Sequence, residues 1–86
     1  MDIIYSQKFS KEYKKIPDNI KKLAEDKEVL FRKNPFDLKL KNHRLRGKLK
    51  SFYSFSIDYK YRIIFEFSKD KKKVYFHLIG KHDIYN

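Results

Sequence analysis

The sequence predicts an α+β domain in which an N-terminal strand and an αα-hairpin pack on one face of a small antiparallel sheet, in the order β-α-α-β-β-β. Three observations carry that prediction. From Phe52 to Ser68 apolar and polar residues alternate, the period of strands covered on one side. From Phe9 to Phe31 the apolar residues recur at spacings of three and four, which is one helical face. The chain has 86 residues, enough for one core and too few for two, so residues 1–86 read as a single domain.

Taken in order, Asp2-Ile3-Ile4-Tyr5 is a short apolar run with strand propensity. Ser6 can cap a helix that carries Phe9, Tyr13 and Ile16 on one side and Lys8, Lys11, Lys14 and Lys15 on the other. Pro17 disfavours a helical conformation at Ile16, and Asp18 can cap a second helix from about Asn19 to Lys33. Its stripe is Ile20, Leu23, Ala24, Leu30 and Phe31, interrupted by Lys27, and Asn34-Pro35 ends it. The sheet follows as Phe52–Asp58, Tyr61–Ser68 and Lys73–Ile79, with turns at 58–60 and 68–72. Gly80 is expected to break the last strand, which is apolar on both faces apart from His77 and therefore reads as central.

Charge is the strongest global signal. Twenty-two Lys and Arg against eleven Asp and Glu leave +11, an excess that attracts polyanions. It concentrates between Asn34 and Lys50, where periodicity fails. Lys39, Lys41, Arg44, Arg46, Lys48 and Lys50 lie there, and no acid occurs between Asp37 and Asp58. A connection of that length in a small domain is more often functional than not, and this one reads as a flexible, phosphate-contacting arm pinned by its leucines. A merely solvated loop is the competing reading. The absence of cysteine excludes a disulfide framework and thiolate metal sites and fits a cytoplasmic location. No apolar run approaches the ~20 residues of a membrane span.

Helices on one side of the sheet leave the other face open, and alternation places Ser54, Ser56, Arg62, Ile64 and Glu66 there. Arg62 can stabilise charge developing on phosphate oxygens, His82 can exchange a proton near neutrality, and Tyr85 can bind a phosphate or stack on a base. Each has a plainer alternative. Arg62 can pair with Glu66 on its own strand, His77 reads as a hydrogen-bonded strand residue, His43 as a solvated loop residue, and His82-Asp83 as a chain-end pair. The three histidines have no zinc-ligand spacing, so no metal or cofactor is expected. A Ser-His-Asp hydrolase is not expected either, since no nucleophile-elbow motif is present.

The order of short motifs resembles the RelE/ParE superfamily of type II toxins over nearly the whole length. The matching pieces are the opening strand, the helix ending Ile16-Pro17, the helix ending Asn34-Pro35 and Leu45-Arg46-Gly47. Tyr61-Arg62-Ile63-Ile64-Phe65 and the close from Ile79 to Tyr85 complete the set. The resemblance implies a RelE-like fold and an endoribonuclease, an mRNA interferase acting on ribosome-bound message without a metal. Its partners would be mRNA, the ribosome and a cognate antitoxin presenting an acidic or amphipathic segment. Carried over by position, Arg62 holds the phosphate, His82 is the general acid or base, Tyr85 is the terminal aromatic and His43 matches a loop histidine of the YafQ-like branch. Lys81 joins the cations of the basic connection as an RNA contact. Tyr53 and Phe55 stand where RelE-like members carry lysines, and Ser56 and Lys60 stand near the His and Asp of the YafQ-like branch, so His82 carries more of the chemistry. Two alternatives belong to other classes. One is a ParE-like toxin that binds DNA gyrase without catalysis; the other is an inactive RNA- or antitoxin-binding relative.

Overall fold

Asp2–Tyr5 (β1) hydrogen-bonds in parallel to Lys73–Lys81 (β5), so the first and last strands lie side by side. The computed structural model describes residues 1–49 and 51–81. Between those strands come helices Gln7–Lys14 (α1) and Asp18–Lys33 (α2), the two-residue strand His43–Arg44 (β2), Tyr53–Ser56 (β3) and Tyr61–Phe67 (β4). The sheet order is β1-β5-β4-β3-β2, with every contact antiparallel except β1 to β5. The α+β class and the helix and strand order agree with the sequence reading. The mixed sheet and the short β2 are additions to it, because a parallel partner seventy residues away leaves no local signature.

Ser6 caps α1 as expected, its Oγ accepting from Phe9 N at 2.9 Å. The same hydroxyl donates to the His77 carbonyl at 2.9 Å and so ties the helix start to β5. Ser6→Ala is therefore expected to cost about 1–2 kcal/mol, read as a lowered denaturant midpoint with an unchanged slope. Asp18 is not the second cap. Pro17 occupies that position without a side-chain bond, and Asp18 sits in the first turn, where its carboxylate favours the helix dipole. One core lies between the helices and the sheet. It is built from Phe9, Ile16, Ile20, Ala24 and Phe31 against Phe55, Ile57, Ile63, Phe65, Val74, Phe76 and Ile79.

The basic connection is a built segment and not a flexible arm. Asp37 caps a 3-10 turn at Leu38–Leu40 by accepting from Lys39 N, Leu40 is fully buried in the core, and Asn42 Nδ2 donates to the Pro35 carbonyl. Leu45 N bonds the Phe52 carbonyl at 2.9 Å and closes the loop between β2 and β3. Gly47 supplies the left-handed φ of 67° that this loop requires. Gly80 does not end β5. The strand runs on to Lys81, and Gly80 pairs with Arg62.

Candidate nucleic-acid site

Arg62 sits on the sheet face away from the helices, as alternation on β4 requires. Its Cα partners are Ser56 on β3 and Gly80 on β5. Glycine leaves the β5 side of the guanidinium without a covering side chain, while Nη1 donates to Ser56 Oγ. The Arg62 Nε is buried with no hydrogen-bond partner among the described residues. Arg62 does not pair with Glu66. The Glu66 carboxylate instead meets His77 Nε2 at 3.1 Å.

A hollow of about 260 Å³ opens beside Arg62 where the β3–β4 hairpin meets the basic connection. Lys27, Lys39, Lys41 and Ser56 line it together with Arg62. Its one acid, Asp58, is engaged by the hairpin turn, where Oδ1 accepts from Lys60 N at 2.9 Å and Tyr61 N at 2.7 Å. Among the described residues none of the four cations has a carboxylate within ion-pair distance. Four positive charges without an ion-pair partner among the described residues surround a concave surface, an arrangement able to attract an anion.

Lys27 is the residue that sequence reasoning passed over. It interrupts the apolar stripe of α2 because it leaves the core there, donating to the Lys39 carbonyl at 3.4 Å and lining the hollow. A cation inside an otherwise apolar helical stripe was the available signal. Of the basic connection, Lys39 and Lys41 reach the hollow. Arg46 and Lys48 are exposed elsewhere, and exposed Arg44 aligns with Tyr53, whose ring packs against the core. Lys81 is exposed and aligns with Tyr61, so alternation sets it on the face opposite Arg62. His43 lies on the edge strand opposite Ser54, with Nδ1 3.4 Å from the Lys41 carbonyl. His82, Tyr85 and Lys50 lie outside the described residues.

The face is less open than alternation implies. Ser54 and Ile64 are fully buried and Ser56 nearly so, and Leu45 and Ile64 are buried outside the main core. A second hollow, about 440 Å³, has different chemistry. It lies among Tyr5, Phe9, Tyr13, Glu25 and Glu28, and Tyr5 donates to Glu28 Oε1 at 2.5 Å. Burial, then the bond to Glu28, raises the Tyr5 phenol above its usual range. Two carboxylates make that hollow unsuited to phosphate.

The layers and strand order are those of known small toxins. The chain superposes on the YoeB/ParE toxin from Agrobacterium tumefaciens with a TM-score of 0.81, at 15% identity over 95% of this chain and 99% of that one. This is the RelE-like toxin fold. YafQ from E. coli strain BL21(DE3) shares it at TM-score 0.77 and 24% identity, over 94% of this chain and 92% of YafQ. The archaeal RelE–RelB complex from Pyrococcus horikoshii OT3 matches at TM-score 0.76 and 13% identity, with 96% of each chain covered. A scan of protein-family models matched nothing, and a search of curated proteins found no significant match. On the RelE-like fold of this chain, Arg62 stands on the inner part of the sheet, flanked by β3 and β5 and not at an edge.

Proposed function

We propose that this chain is the toxin of a type II toxin–antitoxin pair and cleaves mRNA as an endoribonuclease. The observation that carries the reading is the convergence of Arg62, Lys27, Lys39 and Lys41 on one hollow of a RelE-like fold. In the proposed reaction the 2′-hydroxyl oxygen attacks the adjacent phosphorus as its proton passes to a base. The bond to the 5′-oxygen breaks, leaving a cyclic phosphate, and that oxygen takes up a proton. Arg62 and the lysines neutralise the charge that grows on the non-bridging oxygens. His82 is assigned the proton transfers and Tyr85 the contact at the scissile nucleotide, on their positions in the sequence; His43 is the remaining proton carrier of the set. Cleavage on the ribosome accounts for inhibition of translation without a large RNA-binding surface in so small a chain. The partner that restrains it is an antitoxin whose acidic or amphipathic segment covers the cationic hollow, as expected for a surface that gathers four cations.

Mapping transcript 5′ ends after induction tests this. New ends inside translated frames are expected for the wild type and not for His82→Ala. Intact transcripts with DNA damage and filamentation would instead identify a gyrase-directed toxin. Salt-dependent RNA binding with no growth phenotype would identify an inactive relative.

A further inference from the structure

Along β4, one face presents Arg62, Ile64 and then Glu66, so Glu66 stands four residues, or about 13 Å of strand, from the phosphate hollow. The β4–β5 ladder slips between Ile64 and Phe65, which pair with Leu78 and Phe76 and leave His77 as the unmatched residue of a bulge. Val74 and Phe76 face the core, so alternation sets Tyr75 and His77 on the same face as Glu66, with His77 Nε2 at 3.1 Å from its carboxylate. Two further rings flank the imidazole: Phe52 with centroids 5.0 Å apart and tilted by 34°, and Tyr75 at 6.3 Å and 31°. The side chains of His77 and Glu66 remain 32% and 33% exposed, so the cluster is reachable from solvent. Glu66 has no hydrogen-bond partner besides His77 among the described residues, leaving a carboxylate oxygen able to accept.

We propose that Phe52, His77 and Tyr75 form a platform for one unpaired nucleobase of the RNA whose phosphate lies at Arg62, with Glu66 reading its Watson–Crick edge. This rests on the ribonuclease reading and adds base selectivity to it. Three neighbouring, partly exposed rings offer a π surface to any base. The carboxylate accepts from bases with an amino group. Guanine is favoured most, because its N1–H and N2–H donors lie side by side; uracil is disfavoured, because carbonyls flank its only ring N–H. The imidazole holds Glu66 in place and fills the gap between Phe52 and Tyr75. A single strand of more than one nucleotide bridges the covered Ile64 between the two positions, and the cationic hollow supplies the attraction that a lone aromatic face lacks.

The test uses the full chain and short single-stranded RNAs with 2′-O-methyl groups, which cannot be cleaved, so that binding is read apart from activity. The wild type should prefer a guanine-bearing oligonucleotide over its uracil counterpart by about tenfold. Glu66→Gln should erase that preference while keeping most affinity. Tyr75→Leu, which spares the His77–Glu66 pair, should weaken binding to every oligonucleotide by about tenfold with an unchanged thermal midpoint. Wild-type binding without base preference, or unaltered binding by both variants, overturns the platform even if unmodified RNA is still cleaved. The expected pattern without cleavage of unmodified RNA keeps the platform and removes the nuclease.

Discussion

Arg62→Ala is expected to lower RNA cleavage by on the order of 10²–10³-fold and to relieve growth arrest, with little change in stability. The guanidinium is the one cation of the hollow fixed by the sheet itself, between Ser56 and Gly80, with Nη1 bonded to Ser56. The lysines around it reach the same space on longer, freer stems. A charge held in place before the reaction is what stabilises a developing oxyanion. Arg62→Lys should recover little, because an ammonium lacks the fork that engages two phosphate oxygens at once. Stability should move little, since the lost bond to the nearly buried Ser56 Oγ is offset by removal of the buried Nε, which has no hydrogen-bond partner among the described residues. Initial rates and the thermal midpoint measured on the same preparation separate the two effects. A folded Arg62→Ala protein cutting at the wild-type rate would remove the phosphate role from this residue.

The largest effect on stability is expected at Phe31. Its ring has no solvent exposure and lies 5.1 Å from Phe55, 5.0 Å from Phe65 and 5.4 Å from Phe76, centroid to centroid. It joins α2 to β3, β4 and β5 at one point. Truncation to Ala leaves a cavity whose walls are themselves rings held by strands, so little collapse can follow. The expected loss is about 3–5 kcal/mol. A domain of this size has roughly 4–13 kcal/mol in total, so the variant should sit near the edge of folding at 25 °C. Urea titration followed by circular dichroism measures it. Phe31→Leu should lose clearly less, and equal losses for the two variants would show that ring packing is not what Phe31 contributes.

Most of the fold was legible because burial is one-sided. A helix covered on one face shows Phe9, Ile16, Ile20, Ala24 and Phe31 at helical spacing, and a sheet covered on one face shows Phe55, Ile63 and Phe65 in alternation. The same alternation put Arg62 on the far face. Pairings that depend on distant residues left no trace. The parallel seam of β1 with β5 is one, and the bulge at His77 is another, since a slip in register is a property of two strands and not of either sequence. Gly80 was misread because a strand glycine usually signals a break, whereas here it stands opposite Arg62 inside a paired strand that runs on to Lys81. Lys27 showed only as a flaw in a stripe. His82 and Tyr85 were named from the order of motifs, and their roles await the transcript mapping.

The parallel seam bears on the order in which this fold can form. β1 precedes the other described elements along the chain, and its strand partner is β5, the last of the described strands. Until Lys73–Phe76 have been added, β1 has nothing to pair with, and the core lacks Val74 and Phe76. Closing the sheet therefore waits on contacts that span most of the chain, the slow kind in folding. Arg62 also lacks Gly80 beside it until then. Refolding from denaturant should therefore be slow for a chain of this length, with the surroundings of Arg62 completed as β5 docks.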